Sequence, residues 1–372
     1  MKKDWVYKKL GEVANVIHGK NQKEVLSTNG KYPIYGSGGT IMGYATEYLC
    51  EAGTTILGRK GTINNPQFIN HKFWNVDTAF GISARKDIDS KFLYFFIKKQ
   101  DWSKMNTGTT LPSLTQAIVK NVIIPLPPLS EQKEIVEYLD SSFAKIDKLK
   151  ENAAKNLEEA KALFQSALKD ALEPKEGWEE KTIQNVCEIL NGFAFPSASF
   201  MNKGCLKVIK ITNVGVGEFI EDNSRLSIEH QDNSAKVNEN DIVIALTRTI
   251  IADGLKKARV PFSYDGALLN QRVAALTPKK NVVENSFVYY YLGTAQVSKY
   301  VLSKVNTLMQ PNLSIGDLKK MPIPLPSLQE QQSIVSLLDS LNEKVNTLQQ
   351  NYSRICDECD ALKQAILRQV FE

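Results

Sequence analysis

Two loops that follow strand-like apolar segments carry side chains suited to contact DNA. The first loop is Gly58-Arg-Lys-Gly-Thr62, which follows Thr54–Leu57, and the second is Thr247-Arg-Thr249, which follows Asp241–Leu246 and precedes a lysine pair. Glycine lets a backbone approach DNA closely, and arginine can bind guanine through two hydrogen bonds or clamp a phosphate. Solvated surface turns are the alternative interpretation. The DNA-contacting residues predicted from these loops are Arg59, Lys60, Thr62, Arg248, Thr249, Lys256 and Lys257.

Three further polar segments are weaker candidates for the same contact. Asparagine and glutamine suit paired hydrogen bonds to adenine, but they are equally common in turns. The segments begin at His18, Lys210 and Asn270. Their candidate residues are Lys20, Asn21, Lys210, Thr212, Asn213, Asn270, Gln271 and Arg272.

The residues that would support catalysis or metal binding form no complete pattern. Asn65-Pro-Gln-Phe68 lacks the second proline of the Asn-Pro-Pro-aromatic motif found in adenine methyltransferases. Gly58–Thr62 lacks P-loop spacing, and the three histidines lack paired-ligand spacing. The pair Cys356 and Cys359 could bind zinc, but it lies in a strong helical pattern, so we predict that it packs. The sequence therefore predicts a protein without catalytic chemistry or a metal of its own.

The positive charge is unevenly distributed along the 372 residues. The net charge is +5, with +8 in residues 1–124, −2 in 125–172, +2 in 173–323 and −3 in 324–372. Basic segments are the ones expected to meet phosphates. Residues 1–9 lack an apolar signal-peptide core, and no apolar run approaches the roughly 18 residues of a membrane span. We therefore expect a cytoplasmic protein.

The chain is an internal duplication. Pro125–Asp140 and Pro324–Asp339 are identical at over half of their positions. Other matches pair Trp5 with Trp178, Gly19 with Gly192, Phe92–Ile97 with Phe287–Leu292, and Asn106, Thr107 and Pro112 with Asn306, Thr307 and Pro311. The predicted order is module A (residues 1–124), a first linker helix (125–172), module B (173–323) and a second linker helix (324–372). Short apolar runs and glycine-rich turns predict a mixed α+β fold for each module, with the aromatic runs in its core.

The linkers show the heptad spacing of a coiled coil. The predicted seam positions are Ile135, Leu139, Ile146 and Leu149 in the first linker and Ile334, Leu338, Leu341, Val345, Leu348 and Ile355 in the second. So narrow an apolar seam needs a partner helix. The nearest partner is the other linker, which predicts an antiparallel coiled coil and a pseudo-two-fold relation between the modules. A coil that joins two chains is the alternative.

Taken together, these features resemble the specificity subunit of type I restriction–modification systems. The resemblance covers the whole chain and rests on both Pro-Leu-Pro-x-Leu-x-Glu-Gln stretches (125–132 and 324–331), the Ile-Val after each, and the two openings at Trp5 and Trp178. It implies two target recognition domains, each reading half of a bipartite DNA site. Because the two modules diverge in sequence, the two half-sites are expected to differ.

The resemblance also implies partners. Two methyltransferase subunits would be held by the helices, and motor–endonuclease subunits would join for cleavage. S-adenosylmethionine would bind in the methyltransferase, which would methylate adenine N6 on a base flipped out of the duplex. The alternatives are a structural coiled-coil scaffold and the recognition part of a fused restriction–methylation enzyme.

Overall fold

The computed structural model describes residues 5–195, 200–201, 206–222, 225–226, 236–251, 254–304 and 312–372. The chain forms two compact units, Met1–Lys155 with Gln350–Glu372 and Asn156–Gln349. Each unit combines one module with a segment of each of two long helices, α4 (Leu129–Leu172) and α9 (Leu328–Phe371). Across the described ranges no helix is both long and apolar enough to cross a bilayer. The repeat residues Asn306, Thr307 and Pro311 lie outside the described residues.

Module A is built from two small sheets and a two-stranded ribbon. Its strands are β1 (Val6–Lys9), β2 (Ala14–His18), β3 (Tyr32–Tyr35), β4 (Ile41–Ala45), β5 (Thr54–Gly58), β6 (Gln67–Ile69), β7 (Trp74–Asn75), β8 (Ala79–Ala84) and β9 (Ile123–Leu126). Its helices are α1 (Leu10–Val13), α2 (Ser90–Lys99) and α3 (Gln116–Asn121), with a 3-10 turn at Trp102–Met105. The strand orders are β2-β8-β5-β6, β4-β3-β7 and β1-β9.

The main core of module A includes residues of the first sheet and of α2. Every residue of β5 is buried, as expected for a central strand of β-branched and apolar residues. Phe92, Phe95 and Phe96 of α2 join Leu57 and Trp102 in one buried cluster. The prediction that the aromatic run packs in the core is confirmed.

Module B is built on the same plan. Its strands are β10 (Glu179–Thr182), β11 (Cys187–Asn191), β12 (Phe200–Met201), β13 (Leu206–Ile209), β14 (Arg225–Leu226), β15 (Ile242–Ala245), β16 (Ile250–Ile251), β17 (Gly254–Leu255), β18 (Lys257–Arg259), β19 (Leu268–Leu269), β20 (Val273–Pro278) and β21 (Pro322–Leu325). Its helices are α5 (Ile183–Val186), α6 (Asn285–Tyr291), α7 (Ala295–Lys304) and α8 (Ile315–Lys320). The sheets are β11-β20-β15-β18, β12-β14-β13-β19 and β16-β17, with a ribbon β10-β21.

The strand registers show that both modules have the same arrangement of paired strands, here called the shared frame. In module A Gly58 of β5 lies opposite Ala79 of β8, and in module B Ala245 of β15 lies opposite Val273 of β20. Strand β3 is parallel to β7, as β13 is to β19. The duplication seen in the sequence is therefore a duplication of the fold, and positions in the two modules can be compared one by one.

A buried glutamine attaches each long helix to its module. Gln132 accepts a hydrogen bond from the Asp89 N–H (2.8 Å) and donates to the Pro127 carbonyl (2.9 Å). Gln331 makes the same two bonds with Glu284 (2.8 Å) and Pro326 (2.9 Å). Both glutamines are fully buried. Since a buried amide without partners is costly, these bonds explain why a glutamine occurs at this position in both repeats.

Within the first unit, α4 and α9 run antiparallel. Lys150 Nζ lies 2.7 Å from Asp360 Oδ1, and Asp147, one turn back along α4, pairs with Lys363, one turn forward along α9. At the end of α9, the Phe371 ring lies 5.1 Å from the Phe92 ring. The C-terminal turns of α9 thus complete the core of module A, and the predicted antiparallel packing is confirmed.

Within the second unit, the C-terminal end of α4 has the corresponding role. Leu168 and Leu172 are buried in one cluster with Ile334 and Leu338 of α9. The Phe164 ring lies 6.2 Å from the Tyr290 ring of α6. Each module core is therefore completed by the far end of the long helix that starts from the other repeat.

The heptad register predicted for the linkers is wrong at two positions. Leu149 is 58% exposed and Leu348 is 37% exposed, whereas Phe143 and Leu157 are buried. The reason is that a helix with 3.6 residues per turn drifts away from a strict heptad, and α4 packs on its module as well as on α9. Of the other predicted positions, Leu139, Ile146, Ile334 and Leu338 are buried, and Ile135, Leu341, Val345 and Ile355 are half-buried.

Candidate nucleic-acid interface

Loops of module A meet at one end of its first sheet. The Arg59 N–H donates to the Thr78 carbonyl (2.8 Å), and the Leu114 N–H donates to the Arg59 carbonyl (2.8 Å). The Gly61 N–H donates to the Pro112 carbonyl (2.9 Å). These bonds hold the Asn-Thr…Pro-x-Leu segment, residues 106–114, against the loop that follows β5.

Two glycines allow this loop to turn tightly. A Cβ on Gly58 would lie 1.9 Å from the Thr62 carbonyl oxygen, and Gly61 has φ +82°. Any other residue would clash at the first position and be strained at the second. The exposed Lys60 and Thr62 are thereby presented at the surface, and Arg59 is half-buried.

The segment after β2 reaches the same end of the sheet. The Gly19 N–H donates to the Ala79 carbonyl (3.0 Å) and the Lys20 N–H to the Asn75 carbonyl (3.0 Å). The side chains of Lys20 and Asn21 are exposed. The five candidates from module A therefore belong to neighbouring loops.

The equivalent loop of module B places its arginine elsewhere. The Leu313 N–H donates to the Leu246 carbonyl (2.9 Å), as Leu114 does to Arg59, and Thr247 pairs with Asn312 as Lys60 does with Ser113. The structural counterpart of Arg59 is therefore Leu246.

Arg248 instead takes the position of Gly61. Its φ is +50°, close to the conformation of that glycine. Its side chain is exposed. Arg59 and Arg248, each predicted in the loop after a strand, are therefore two positions apart in the shared frame. The sequence alone does not show this offset, because so short a loop offers no register.

The main chain of other module B candidates is bonded to the strand end before Arg248 or to strand β13. The Leu246 N–H donates to the Arg272 carbonyl (2.8 Å), and the Asn270 N–H donates to the Ile209 carbonyl (2.9 Å). Gln271, Arg272 and Thr212 are exposed, and Asn270 is half-buried. Lys210 is paired with Asp222 at 3.0 Å.

Two polar candidates of module B are buried, and the prediction of direct DNA contact by them is wrong. Asn213 accepts from the Lys210 N–H (2.7 Å) and donates to the Ile220 carbonyl (2.7 Å), so its amide closes a 3-10 turn. Thr249 is fully buried. Residues of these types are as common in local turn bonding as in DNA contacts.

The lysine pair of module B is also buried. Lys256 Nζ donates to the Ile211 carbonyl (2.9 Å), and Lys257 Nζ donates to the Tyr289 carbonyl (2.5 Å) while lying 3.5 Å from the centre of the Tyr289 ring. Burial, and secondarily Arg259, lowers the pKa of Lys257 to about 7. Burial, and secondarily Arg248, lowers the pKa of Lys256. Predicted DNA contact by these two lysines is wrong, because both side chains are buried and their ammonium groups donate to main-chain carbonyls inside the module.

Two residues of the 106–116 segment were not among the interface residues predicted from the sequence. Leu111 is 61% exposed at its tip, and Gln116 donates to the Val16 carbonyl (2.7 Å). The repeated Asn-Thr…Pro-x-Leu pattern marked this segment, but it did not show that the segment lies beside Arg59.

Cys359 is buried in the first unit's core cluster with Leu367 and Phe371, which confirms its packing role. In the described part of the chain, no three histidine, cysteine or acidic side chains lie together as metal ligands would.

A family model for the type I restriction modification DNA specificity domain matches residues 2–159 and 175–355. The MjaVIII specificity subunit of Methanocaldococcus jannaschii is 26% identical over 92% of this chain and 87% of its own length. The EcoBI specificity subunit of Escherichia coli is 22% identical over 85% and 72%. Both relatives are named as specificity subunits of type I restriction enzymes.

Solved structures share the fold. A chain from a structure described as showing complex assembly and conformational transition of the type I R-M system has a TM-score of 0.75 at 20% identity, covering 100% of this chain and 98% of that one. The HsdS subunit from Thermoanaerobacter tengcongensis has a TM-score of 0.56 at 20% identity, covering 100% and 97%. The family match includes both repeats, each with its module and most of a long helix. The chain therefore belongs to the specificity subunits of type I restriction–modification systems, which recognise DNA and are not themselves catalytic.

Proposed function

We propose that each module binds one half of a bipartite, asymmetric DNA site. The supporting observation is that the two modules share one arrangement of strands but carry different cationic side chains in the loops at one end of it. Module A presents Arg59 and Lys60, and module B presents Arg248 and Arg272. The same frame can approach the duplex in the same way, while side chains that differ between the modules make different contacts with the two half-sites.

The long helices would dock two methyltransferase subunits. Their first turns are attached to the modules by the same glutamine bonds, and Tyr138 and Leu337, at equivalent positions of the repeat, are both 52% exposed. Two exposed apolar side chains at equivalent positions suit two copies of one partner. The methyltransferase would bind S-adenosylmethionine and methylate adenine N6, motor–endonuclease subunits would join for cleavage, and the complex would act in the cytoplasm.

Methylome mapping tests this proposal. The chain is co-expressed with its methyltransferase subunit in a host without other adenine methylation, and methylated adenines are mapped by long-read sequencing. We expect one motif made of two different specific parts separated by a fixed unspecified gap. A contiguous motif would contradict the assignment of one half-site to each module, and no methylation despite an assembled complex would favour a purely structural scaffold.

A further inference from the structure

A cleft opens in module A where the loop after β5 meets the 106–116 segment. Its volume is about 380 Å³, and its lining includes His18, Arg59, Lys60, Phe80 and Gln116. The His18 and Phe80 rings lie 5.0 Å apart on neighbouring strands and form one wall. The cleft thus lies at the loop end of the sheet, inside the interface described above.

The cleft has positive charge without a counter-charge. Within the described part of the chain, no carboxylate lines it. The Nε atom of Arg59 is buried and has no hydrogen-bond partner among those residues. A buried donor without an acceptor is costly, so a ligand that supplies acceptor oxygens and negative charge would be strongly favoured.

Module B lacks this chemistry in the same frame. Strand register and loop bonds place Asn191 at the position of His18, Leu246 at that of Arg59 and Thr247 at that of Lys60. Ala274 likewise replaces Phe80. Since the backbone frame is shared, these differences show that the fold does not require the side chains found at these four positions in module A.

We propose that this cleft binds one backbone phosphate of the half-site read by module A, with Arg59 and Lys60 as its ligands, and that module B makes no equivalent contact. The inference rests on the proposed function. Base edges lie on the floor of a groove and are read by protruding side chains, whereas a recessed guanidinium is reached by a group that projects from the duplex. Backbone phosphates project in this way. Arg59 is therefore a positioning contact and not a base reader.

The test uses the whole chain assembled with its methyltransferase subunits and a duplex carrying the mapped motif. Arg59→Leu and Lys60→Thr introduce the residues of module B, and Arg59→Lys keeps the charge. The matched control is Lys86→Thr, an exposed lysine beyond the other end of β8. The affinity is measured against salt concentration for the motif and for a scrambled duplex.

We expect Arg59→Leu and Lys60→Thr each to lower the magnitude of the logarithmic salt slope by up to about 0.9, the value for one phosphate contact. Binding should weaken by the same factor on both duplexes. Arg59→Lys and Lys86→Thr should keep the slope of the unmodified protein. An unchanged slope for Arg59→Leu, or a loss confined to the motif, would overturn the phosphate assignment.

Single methylphosphonate linkages provide a second measurement, whose first arm uses only the unmodified protein. One neutral linkage in the module A half-site should weaken binding of the unmodified protein, and the same linkage should cost Arg59→Leu little. If no linkage in that half-site has this effect, the cleft holds no DNA phosphate, although motif binding would still stand. If the motif is not preferred over the scrambled duplex at all, the proposed function itself fails.

Discussion

Arg248 combines a strained backbone conformation with an exposed side chain of a type that suits DNA contact. A non-glycine residue at φ +50° costs about 1 kcal/mol, and the frame has glycine at the same place in module A. Such strain in a native loop is consistent with selection for the side chain rather than for stability. Because module A has Gly61 at this position, the substitution Arg248→Gly removes the backbone strain and the side chain's proposed DNA contact together, and separate measurements distinguish the two effects.

We predict that Arg248→Gly leaves stability unchanged or raises it by up to about 1 kcal/mol, while it weakens binding to the motif by about 1–3 kcal/mol. Thermal unfolding and titration on motif and scrambled duplexes measure the two effects. A loss confined to the motif identifies a base contact in the half-site of module B. Full affinity on both duplexes would remove Arg248 from the interface.

Lys257 should make stability depend on pH. Burial lowers its pKa to about 7 in the folded protein, against 10.5 as the ordinary value. Between these pH values Lys257 binds more protons in the unfolded chain than in the folded protein. The contribution of Lys257 to folding stability therefore increases as pH rises from about 7 to 10.5, and it is constant below pH 7. In Lys257→Met this contribution disappears. The melting temperature of the variant minus that of the unmodified protein should therefore fall as pH rises across that window, and a constant difference would show that Lys257 stays charged.

At the scale of elements, the two glutamines connect module and helix. Replacing Gln132 or Gln331 by leucine leaves a main-chain N–H and a carbonyl without their partners. We predict a loss of about 2–4 kcal/mol for either variant. Gln332→Leu, next to the second site on the exposed side of α9, is the control and should change stability by less than about 0.5 kcal/mol. Denaturant unfolding distinguishes these outcomes.

Sequence patterns predicted some elements of the fold and not others. The duplication, the long helices and the aromatic cores were predicted because each depends on local periodicity or on repeats within the chain. The prediction that Leu149 and Leu348 lie in the buried seam was wrong, because helix drift and packing on the module decide which helix face is buried. The prediction that Lys256 and Lys257 contact DNA was wrong because composition does not show whether a lysine side chain is buried. Arg59 and Lys60 were selected as candidates by type and spacing, but the cleft that they line depends on a segment some fifty residues away in sequence.

Helix length should set the gap between half-sites. The ion pairs Lys150–Asp360 and Asp147–Lys363 show that inserting one turn near Asn152 in α4 alone would shift the antiparallel register. A matched turn is therefore added to α9 near Glu358, which lies opposite Asn152 in the register set by these ion pairs. We predict that the preferred gap changes by about one or two base pairs, from 5.4 Å per turn and about 3.4 Å per base pair. Selection from a library of gap lengths measures it, and an unchanged gap would show that the helices are not the ruler.

For the whole molecule, the duplication predicts that residues 1–172 form a homodimer. In the first unit the core of module A is completed by Leu367 and Phe371 of α9, and the repeat places Leu168 and Leu172 at the same positions in α4. A fragment without α9 can therefore bury its exposed core against α4 of a second copy. With the methyltransferase present, the methylated motif should become a palindrome of the module A half-site.

The ion pairs of the first unit predict how strong that homodimer is. Asp360, the partner of Lys150, corresponds in the repeat to Lys161, so self-pairing would bring two lysines together and weaken the dimer. Lys161→Asp should restore the pair and strengthen dimerisation of the fragment, by up to about 1 kcal/mol for an exposed pair. Lys145→Asp changes the net charge equally at an exposed position and should give no such gain. Sedimentation equilibrium at low salt compares the three fragments. Equal gains for both variants would mean that net charge rather than this contact controls association, and a monomeric fragment with an asymmetric motif would contradict the pseudo-two-fold design.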